Sequence, residues 1–196
     1  PYMTLVPAYE ATQLEGFAEM VDKGIVYKGR KAIHWCIDCE TALAAAEIEY
    51  SDEVSPSIFV AYTYKDAAKV FPQLEGRDVD IIIWTTTPWT LPASMAVAVH
   101  PRFDYGFYEV GDKVYLIAQG LKDKVIKATG LDLKEPIISC KGAELELSKA
   151  MHPFYDKEVI VVLAEYVDLE TGTGCVHTAP GHGTEDYETG VRYGIE

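Results

Sequence analysis

The sequence predicts a mixed α/β fold that is mainly β, with a distorted, closed or nearly closed β-barrel core and peripheral helices. Hydrophobic residues make up 48% and charged residues 24% of the 196-residue chain, which is typical of globular proteins. Short runs rich in β-branched and aromatic residues follow one another from residue 57 to residue 179, separated by Gly, Pro and Asp. Few segments show helical periodicity, so helices are expected only around a sheet core.

The first part of the chain is predicted to form a leading segment with a helix and a hairpin. Apolar residues recur at helical spacing from about Tyr9 to Lys23. The run GIVYKGRKAIHWC then alternates like a hairpin around Lys28-Gly29. A polar stretch with one proline, residues 51–57, predicts a boundary. We therefore expect a leading segment, 1–56, and a second domain, 57–196.

The four cysteines predict no disulfide scaffold, and a reducing cytoplasm is expected. Cys36 and Cys39 form a C-x-x-C pair after the predicted hairpin, which is half of a zinc knuckle. The alternative is a pair that binds no metal, whereas a redox motif would need a βαβ context that is missing. Cys140 and Cys175 lie in strand-like runs and are expected to be buried.

The second domain is predicted to contain most of the strands and three helices. The predicted strands are SIFVAYTY, VDIIIWTTT, MAVAVH, YGFYEV, KVYLIA, EVIVVLAEYV and GTGCVHTA. The predicted helices lie near Asp66 to Phe71, Gln119 to Thr129 and Asp186 to Tyr193.

The formal net charge of −14 argues against broad electrostatic binding of a nucleic-acid backbone. An RNA partner would therefore be contacted only at its end. No apolar run is long enough to cross a bilayer, and the sequence opens with neither a signal peptide nor a methionine. We interpret the chain as a piece of a larger cytoplasmic protein without membrane contact.

The run WTTTPWTLP, residues 84–92, places three threonines before two prolines. Side chains alternate in a strand, so Thr85 and Thr87 should share one side and Thr86 the other. Thr87 precedes a proline and is expected to be extended, and the prolines should end the strand. The result is either a rigid loop whose hydroxyls bind a small polar substrate or a water, or an ordinary edge strand with a proline turn.

The run GTGCVHTAPGHGTEDYETG, residues 172–190, predicts a strand, a tight loop and a helix capped by Thr184. Asp186 would lie in the first helical turn, where the dipole and free N–H groups favour its charged form. A fixed carboxylate suits recognition of an ammonium group. Acidic residues are also common in first turns for structural reasons alone.

His177 at the end of this strand and His182 between two glycines are further candidates. A histidine can act as an acid, base, ligand or steric wall, or it can be a satisfied buried residue or an exposed loop residue. Together with Asp186 the two could form a hydrolytic metal centre, although the spacing matches no common zinc motif. No Gly-x-Ser-x-Gly elbow occurs, and Cys175 has no obvious partnered base.

The two motifs in this order resemble the editing domain of isoleucyl-tRNA synthetases, a connective insertion in the catalytic domain of class I synthetases. WTTTPWTLP followed by AVAVHP is the first part of the resemblance, and GTGCVHTAPGHGTEDYETG is the second. Related valyl and leucyl enzymes carry Arg-Pro after their paired threonines, so TTTPWT favours the isoleucyl branch. PYMTLVPAYEATQ and IHWCIDCETALAAAEIEY resemble the segment that leads into the insertion, so the resemblance covers the whole chain.

The resemblance implies a hydrolase that cleaves the aminoacyl ester of Val-tRNA(Ile), with Val-AMP as a further candidate substrate, and that spares Ile-tRNA(Ile). Isoleucyl synthetases are themselves the known example of a synthetic site that gains only about 1–3 kcal/mol from one methylene and so needs such editing. Two alternatives remain at this point. One is the metal-dependent hydrolase described above, and the other is a non-catalytic module that binds an RNA 3′ end.

The resemblance also implies roles for single residues. Asp186 would hold the α-ammonium group, and His177 would wall the side-chain pocket and help to exclude isoleucine. Thr85, Thr86 and Thr87 would contact the aminoacyl-adenosine and position the attacking water. Other implied substrate-binding residues are Trp84, Trp89, Ser94, Gly172, Gly174 and His182. The family commonly has asparagine where Ser94 stands, and a serine reaches less far and forms fewer hydrogen bonds.

Editing by such a domain implies no cofactor. The resemblance places a completing C-x-x-C outside this chain, so zinc at Cys36 and Cys39 is expected only in a full-length enzyme. ATP and Mg would serve the absent synthetic domain. The implied partners are the 3′ end of tRNA(Ile) carrying valine and the remaining domains of the parent synthetase.

Overall fold

One helix, α1 (Pro7–Asp22), makes up most of the smaller of two compact units, Pro1–Lys31 and Ala32–Glu196. A computed structural model describes residues 2–29 and 32–195. The predicted helix is confirmed and begins two residues early, because Pro7 supplies the fixed φ that suits a first helical position. The predicted boundary near residue 56 stays a prediction.

The second unit begins with a short hairpin of β1 (Trp35–Cys36) and β2 (Thr41–Ala42). The hairpin predicted around Lys28-Gly29 is wrong for the residues that are described, which form no strand from 25 to 29 or from 32 to 34. Arg30 and Lys31 lie outside the described residues. Cys36 ends β1, and the turn of the observed hairpin, residues 37–40, contains Cys39 and Glu40, whose φ is +52°.

A five-stranded sheet has the strand order β3-β4-β7-β6-β8. Its strands are β3 (Ile58–Thr63), β4 (Asp78–Thr85), β7 (Lys113–Ala118), β6 (Asp104–Val110) and β8 (Ile138–Lys141). Neighbours are antiparallel except β4 and β7, which are parallel. The buried isoleucines of β4, residues 81–83, fit an interior strand of the sheet, since a strand covered on both faces reads as a continuous apolar run.

A four-stranded sheet has the order β11-β5-β10-β9. Its strands are β11 (Cys175–Thr178), β5 (Ala96–Val99), β10 (Glu158–Leu163) and β9 (Lys149–Met151). Strands β5 and β10 are parallel, and the other pairs are antiparallel. Neither β8 nor β9 is among the predicted strands, although Cys140 of β8 was placed in a strand-like run; with only four and three residues they show too little alternation to be recognised as separate strands.

The main core combines side chains of both sheets, including Tyr62, Ile81 and Phe107 from the larger sheet and Val97 and Val161 from the smaller. The mixed, mainly β fold is confirmed. A closed barrel is not formed, because the described strands pair as two separate sheets beside the small hairpin. The reason lies between β4 and β5, where a proline-containing 3₁₀ segment interrupts the ladder and carries the chain from one sheet to the other.

Three further helices are peripheral, as predicted: α2 (Ala67–Val70), α3 (Lys122–Thr129) and α4 (Thr184–Tyr193). Residues of α3 pack on the outer face of the larger sheet, and the end of α4 packs on the outer face of the smaller sheet. Within the described residues, no helix is both long and apolar enough to span a membrane.

Candidate active site

The threonine loop, which we define as residues 85–94, leaves the larger sheet at the end of β4. Strand β7 pairs with β4 only from Asp78 to Ile81, so the end of β4 pairs on one side alone, with β3. Thr85 is the last strand residue, and a 3₁₀ helix, Pro88–Ala93, follows. The strand therefore ends at the prolines, as the sequence predicted.

Thr85 and Thr87 lie on the same side of the loop, as the alternation predicted. Their hydroxyl oxygens are 3.3 Å apart, and the Thr87 N–H donates to Thr85 Oγ1 at 3.1 Å. Thr86 takes part through its carbonyl, which accepts a hydrogen bond from Ser55 Oγ at 2.9 Å. The prediction that Thr87 is extended is only half right, since its φ is −124° but its ψ is 63°. Thr87 turns the chain into the 3₁₀ helix.

Thr90 connects this loop to His177 of β11, 87 residues further along the chain. Thr90 Oγ1 donates to the Thr87 carbonyl at 2.8 Å and lies 3.3 Å from His177 Nε2. Because the single hydroxyl proton goes to Thr87, we assign the imidazole proton to Nε2, which then donates to Thr90. His177 Nδ1 is consequently an acceptor, and it is buried without a hydrogen-bond partner.

His177 is a neutral side chain at physiological pH. It is only 6% exposed, and burial lowers its pKa to about 4, with smaller contributions from His152 and His182. A group with so low a pKa is a weak general base at neutral pH. The arrangement suits a steric wall or a hydrogen-bond acceptor rather than an acid–base catalyst.

Asp186 lies in the first turn of α4, as predicted, although Gly183 rather than Thr184 is the N-cap. The Ala179 N–H donates to one carboxylate oxygen at 2.9 Å, and the Tyr166 hydroxyl donates to the other at 3.3 Å. Burial raises the pKa of Asp186, whereas these two hydrogen bonds lower it. The pKa of Asp186 is therefore raised overall, whereas the helix dipole predicted a carboxyl group whose charged form is favoured. Both oxygens nevertheless accept, which is the pattern of a carboxylate held in one orientation.

A cleft of about 230 Å³ opens where the two sequence motifs meet. Trp84, Thr85 and Thr86 line one side, and the segment 171–176 with Tyr166 lines the other. Tyr166 therefore borders both the cleft and Asp186.

Gly172 and Gly174 allow the chain to pass this close to β4 and β7. Both have positive φ, +73° and +75°, which side chains rarely adopt. A Cβ at Gly172 would lie 3.2 Å from the Trp84 ring, and one at Gly174 would collide with Ala118. Both glycines are therefore required by the backbone conformation and by the close packing.

The other predicted residues do not line this cleft: Thr87, His177 and Asp186 lie outside its lining, and so do Trp89, His182 and Ser94. Trp89 is 64% exposed on the 3₁₀ helix, and His182 is exposed in the loop before α4. Ser94 is fully buried, and its hydroxyl accepts a hydrogen bond from Tyr62 at 2.9 Å. Sequence reasoning missed Thr90 and Tyr166. Thr90 could have been found, because it stands three residues after Thr87, whereas Tyr166 joins the site only through tertiary structure.

The alternative metal centre is not formed. Within residues 2–29 and 32–195, no three His, Cys, Asp or Glu side chains are grouped so that they could hold a metal ion, and this includes His177, His182 and Asp186. The Cys36–Cys39 pair fits half of a zinc site, because the Cys39 N–H donates to Cys36 Sγ at 3.3 Å. That backbone hydrogen bond is the main cause that lowers the pKa of Cys36 and favours the thiolate that zinc binds.

Comparison with known proteins identifies the family. The family of class I tRNA synthetases (I, L, M and V) matches residues 1–154. The chain belongs to this family. Among class I synthetases, isoleucine–tRNA ligase of Caldanaerobacter subterraneus subsp. tengcongensis is 52% identical over the whole chain, and that of Syntrophomonas wolfei is 50% identical. The chain spans 21% of the length of each of these curated relatives.

Solved structures of class I synthetase domains share the fold. The crystal structure of GlLeuRS-CP1 matches with a TM-score of 0.59 and 20% identity, covering 72% of this chain and 65% of that one. The Plasmodium knowlesi cytosolic leucyl-tRNA synthetase editing domain matches with a TM-score of 0.57 and 14% identity, covering 67% and 59%. At these identities the likeness concerns the fold alone.

Proposed function

We propose that this chain is the editing domain of an isoleucine–tRNA ligase and hydrolyses the aminoacyl ester of Val-tRNA(Ile) while sparing Ile-tRNA(Ile). The observation that carries the proposal is the meeting of the two motifs at one cleft, which is lined by Thr85 and Thr86 of the first motif and by residues 172–176 of the second. Asp186 is hydrogen-bonded to the lining residue Tyr166, and His177 follows the lining residue Val176 and contacts Thr90 of the threonine loop. The membership of the chain in the class I synthetase family and the fold that it shares with a synthetase editing domain both support this role.

Asp186 is proposed to bind the α-ammonium group of the misattached amino acid. Its carboxylate is held by Ala179 and Tyr166, so little rotational freedom is lost when a ligand binds. Each oxygen has one further lone pair available for an N–H donor. Charge-assisted hydrogen bonds to an ammonium group are stronger than neutral ones, which suits selection of a free α-amine.

His177 is proposed to limit the size of the bound side chain. Its ring is fixed by the bond to Thr90 and is neutral, so it can lie against an aliphatic group without a large desolvation cost. A rigid wall rejects an extra methylene by overlap. Valine would then fit where isoleucine does not.

Thr85, Thr86 and Thr87 are proposed to orient the attacking water and the aminoacyl-adenosine. The oxygen of that water bonds to the ester carbonyl carbon, giving a tetrahedral oxyanion. The ester C–O bond then breaks, the ribose oxygen takes up a proton that originated on the water, and valine and tRNA are released. No protein nucleophile is needed, and the catalysis comes from positioning and hydrogen bonding.

Other parts of the parent synthetase complete the proposal. The net charge of −14 fits a domain that contacts only the tRNA 3′ end, while other domains hold the rest of the molecule. Zinc would be held by Cys36 and Cys39 with two ligands from elsewhere, and it would fix the local fold without a part in hydrolysis. ATP and Mg would bind only the synthetic domain.

Deacylation of Val-tRNA(Ile) and Ile-tRNA(Ile) tests the proposal, measured with this chain and with the full-length protein that contains it, with and without a chelator. We expect loss of the valyl ester only, unaffected by chelation. Chelator-sensitive hydrolysis would instead indicate a metal enzyme. Binding of tRNA without hydrolysis in the full-length protein would indicate a module that only binds the RNA end.

A further inference from the structure

A second histidine holds the threonine loop, from the edge of the smaller sheet opposite the strand that carries His177. His152 follows β9 in the turn of residues 152–157, which we call the β9–β10 turn. It is 4% exposed, and its Nε2 lies 2.8 Å from the Leu91 carbonyl oxygen. From the same turn, Lys157 Nζ donates to the Ser94 carbonyl at 3.2 Å.

The ring of His152 has a defined proton position. The N–H groups of Phe154 and Tyr155 both point at Nδ1, at 3.4 and 3.3 Å. Nδ1 is therefore an acceptor, and Nε2 carries the proton that is donated to Leu91. The ring also stacks on Tyr155, with centroids 4.9 Å apart, and meets the edge of Phe154 at 4.6 Å. Hydrogen bonds and ring contacts together fix its orientation.

The turn that carries His152 is itself rigid. It closes the antiparallel pair β9–β10, in which Met151 is opposite Glu158. The His152 N–H donates to the Lys157 carbonyl at 2.9 Å, and the Lys157 N–H donates to the Tyr155 carbonyl at 2.8 Å. His152 is thus anchored to the smaller sheet, which also carries His177.

The threonine loop benefits from such an anchor, because the backbone hydrogen bonds at the two ends of its 3₁₀ helix each span only three residues. The Thr90 N–H donates to the Thr87 carbonyl, and the Ser94 N–H donates to the Leu91 carbonyl, both over three residues. Short 3₁₀ segments with such bonds are weakly stable. Leu91 is adjacent to Thr90, so a shift at Leu91 would also move the hydroxyl that contacts His177 and Thr87.

We infer that His152 is a positioning residue for editing: its bond to Leu91 sets the place of Thr90 and thereby of the Thr87 and His177 groups. Its effect on catalysis rests on the proposed function. Its effect on the order of the loop does not.

The test compares His152→Phe, which keeps the ring but removes both nitrogens, with His152→Gln, whose amide can still donate to Leu91. His100→Phe is the matched control, since His100 is also buried, accepts a turn N–H from Arg102 and stacks on Phe103, but has no contact with the threonine loop in the described structure. In the full-length protein, kcat and KM for Val-tRNA(Ile) are measured together with hydrogen–deuterium exchange of peptides covering residues 85–95.

We expect His152→Phe to lower kcat by about 10–100-fold with little change in KM, because small misplacements of reacting groups carry losses of this size. Exchange in residues 85–95 should rise, while exchange elsewhere stays near that of the parent protein. His152→Gln should recover part of both effects, and His100→Phe should resemble the parent in both.

The inference would be overturned if His152→Phe left hydrogen–deuterium exchange in residues 85–95 unchanged. It would also be overturned if exchange there rose while kcat for Val-tRNA(Ile) stayed at the parent value. Equal losses in the Phe and Gln variants would show that the bond to Leu91 is not the cause. If the parent protein hydrolyses neither ester, the proposed function fails, and the exchange data alone decide whether His152 positions the loop.

Discussion

Thr90 Oγ1 and His177 Nε2 lie 3.3 Å apart, although 87 residues separate them in the chain. This contact joins the two sheets at the candidate site, since Thr90 follows β4 of the larger sheet and His177 belongs to β11 of the smaller. It also determines which imidazole nitrogen carries the proton, and it leaves Nδ1 as an unpartnered buried acceptor. A bound substrate or water with a donor group would satisfy that atom.

Replacing Asp186 by Asn should reduce hydrolysis of Val-tRNA(Ile) without unfolding the domain. The amide oxygen can still accept the Ala179 N–H, but the negative charge that would bind an ammonium is lost. Hydrogen bonds to charged groups are worth about 1.5–3 kcal/mol, so kcat/KM should fall by about 10–100-fold. Glu185→Gln, one residue earlier on the exposed side of α4, is the control and should retain activity. Equal activity of the two variants would contradict the role given to Asp186.

Thr85→Val keeps the shape of a buried side chain and removes its hydroxyl. Thr85 Oγ1 accepts the Thr87 N–H, so the free energy of unfolding should decrease by about 1 kcal/mol, as for a typical hydrogen bond. Deacylation of Val-tRNA(Ile) should fall more strongly, because Thr85 lines the cleft and its hydroxyl is proposed to orient the attacking water. Thr63→Val makes the same change at an exposed strand position and should alter neither quantity. Denaturant unfolding and the deacylation assay measure the two effects.

Gly174→Ala should destabilise the domain. At φ +75° a side chain is strained, and its Cβ would collide with Ala118, so a loss of about 1–3 kcal/mol is expected. Gly181→Ala is the control, since its Cβ would meet no atom within 4 Å. Thermal unfolding should give a lower midpoint for the first variant only. Similar midpoints for both would mean that β7 can move away from this turn at little cost.

Burial of His177 predicts a dependence of stability on pH. Its pKa is about 4 in the folded protein, against 6.5 for an unperturbed histidine, so the unfolded chain binds more protons between these values. Stability contributed by neutral His177 is therefore complete above about pH 6.5 and decreases as the pH falls towards 4, by about 3 kcal/mol in total.

The measurement is the free energy of unfolding between pH 4 and 7 for the parent protein and for His177→Gln. The variant retains Asp186, whose raised pKa acts in the opposite sense, so the difference between the two curves isolates the histidine. A difference that does not change with pH would contradict the burial of a neutral imidazole.

The cysteine pair should bind metal weakly in this chain. Two thiolates supply half of a tetrahedral site, so Co²⁺ should give a thiolate charge-transfer band only at high metal concentration. Cys36→Ser should abolish the band, whereas Cys140→Ser, at a buried strand position, should not. Tight binding would show that further ligands lie within the chain.

The sequence predicted local structure best where a single element carries the signal. The run of isoleucines in β4, the helical pattern from residue 186 to residue 193 and the end of the strand before Pro88 were all readable from alternation, periodicity and proline chemistry. The hairpin predicted around Lys28-Gly29 is absent from the residues that the structure describes there, because alternation in a short run does not by itself specify a turn. The short strand β9 (Lys149–Met151) gave no signal of its own, and it forms because its neighbour β10 supplies the hydrogen bonds.

By itself the sequence determined the two motifs, the glycines that take positive φ at the start of the second one, and the family to which the chain belongs. Only the tertiary structure decided that the strands pair as two sheets instead of a closed barrel, and that Thr90, Tyr166 and His152 join the site. These residues act through contacts across 20 to 87 positions of the chain. Local patterns record the conformation of a segment, whereas contacts between distant segments depend on how the sheets pack, and no periodicity in the sequence encodes that.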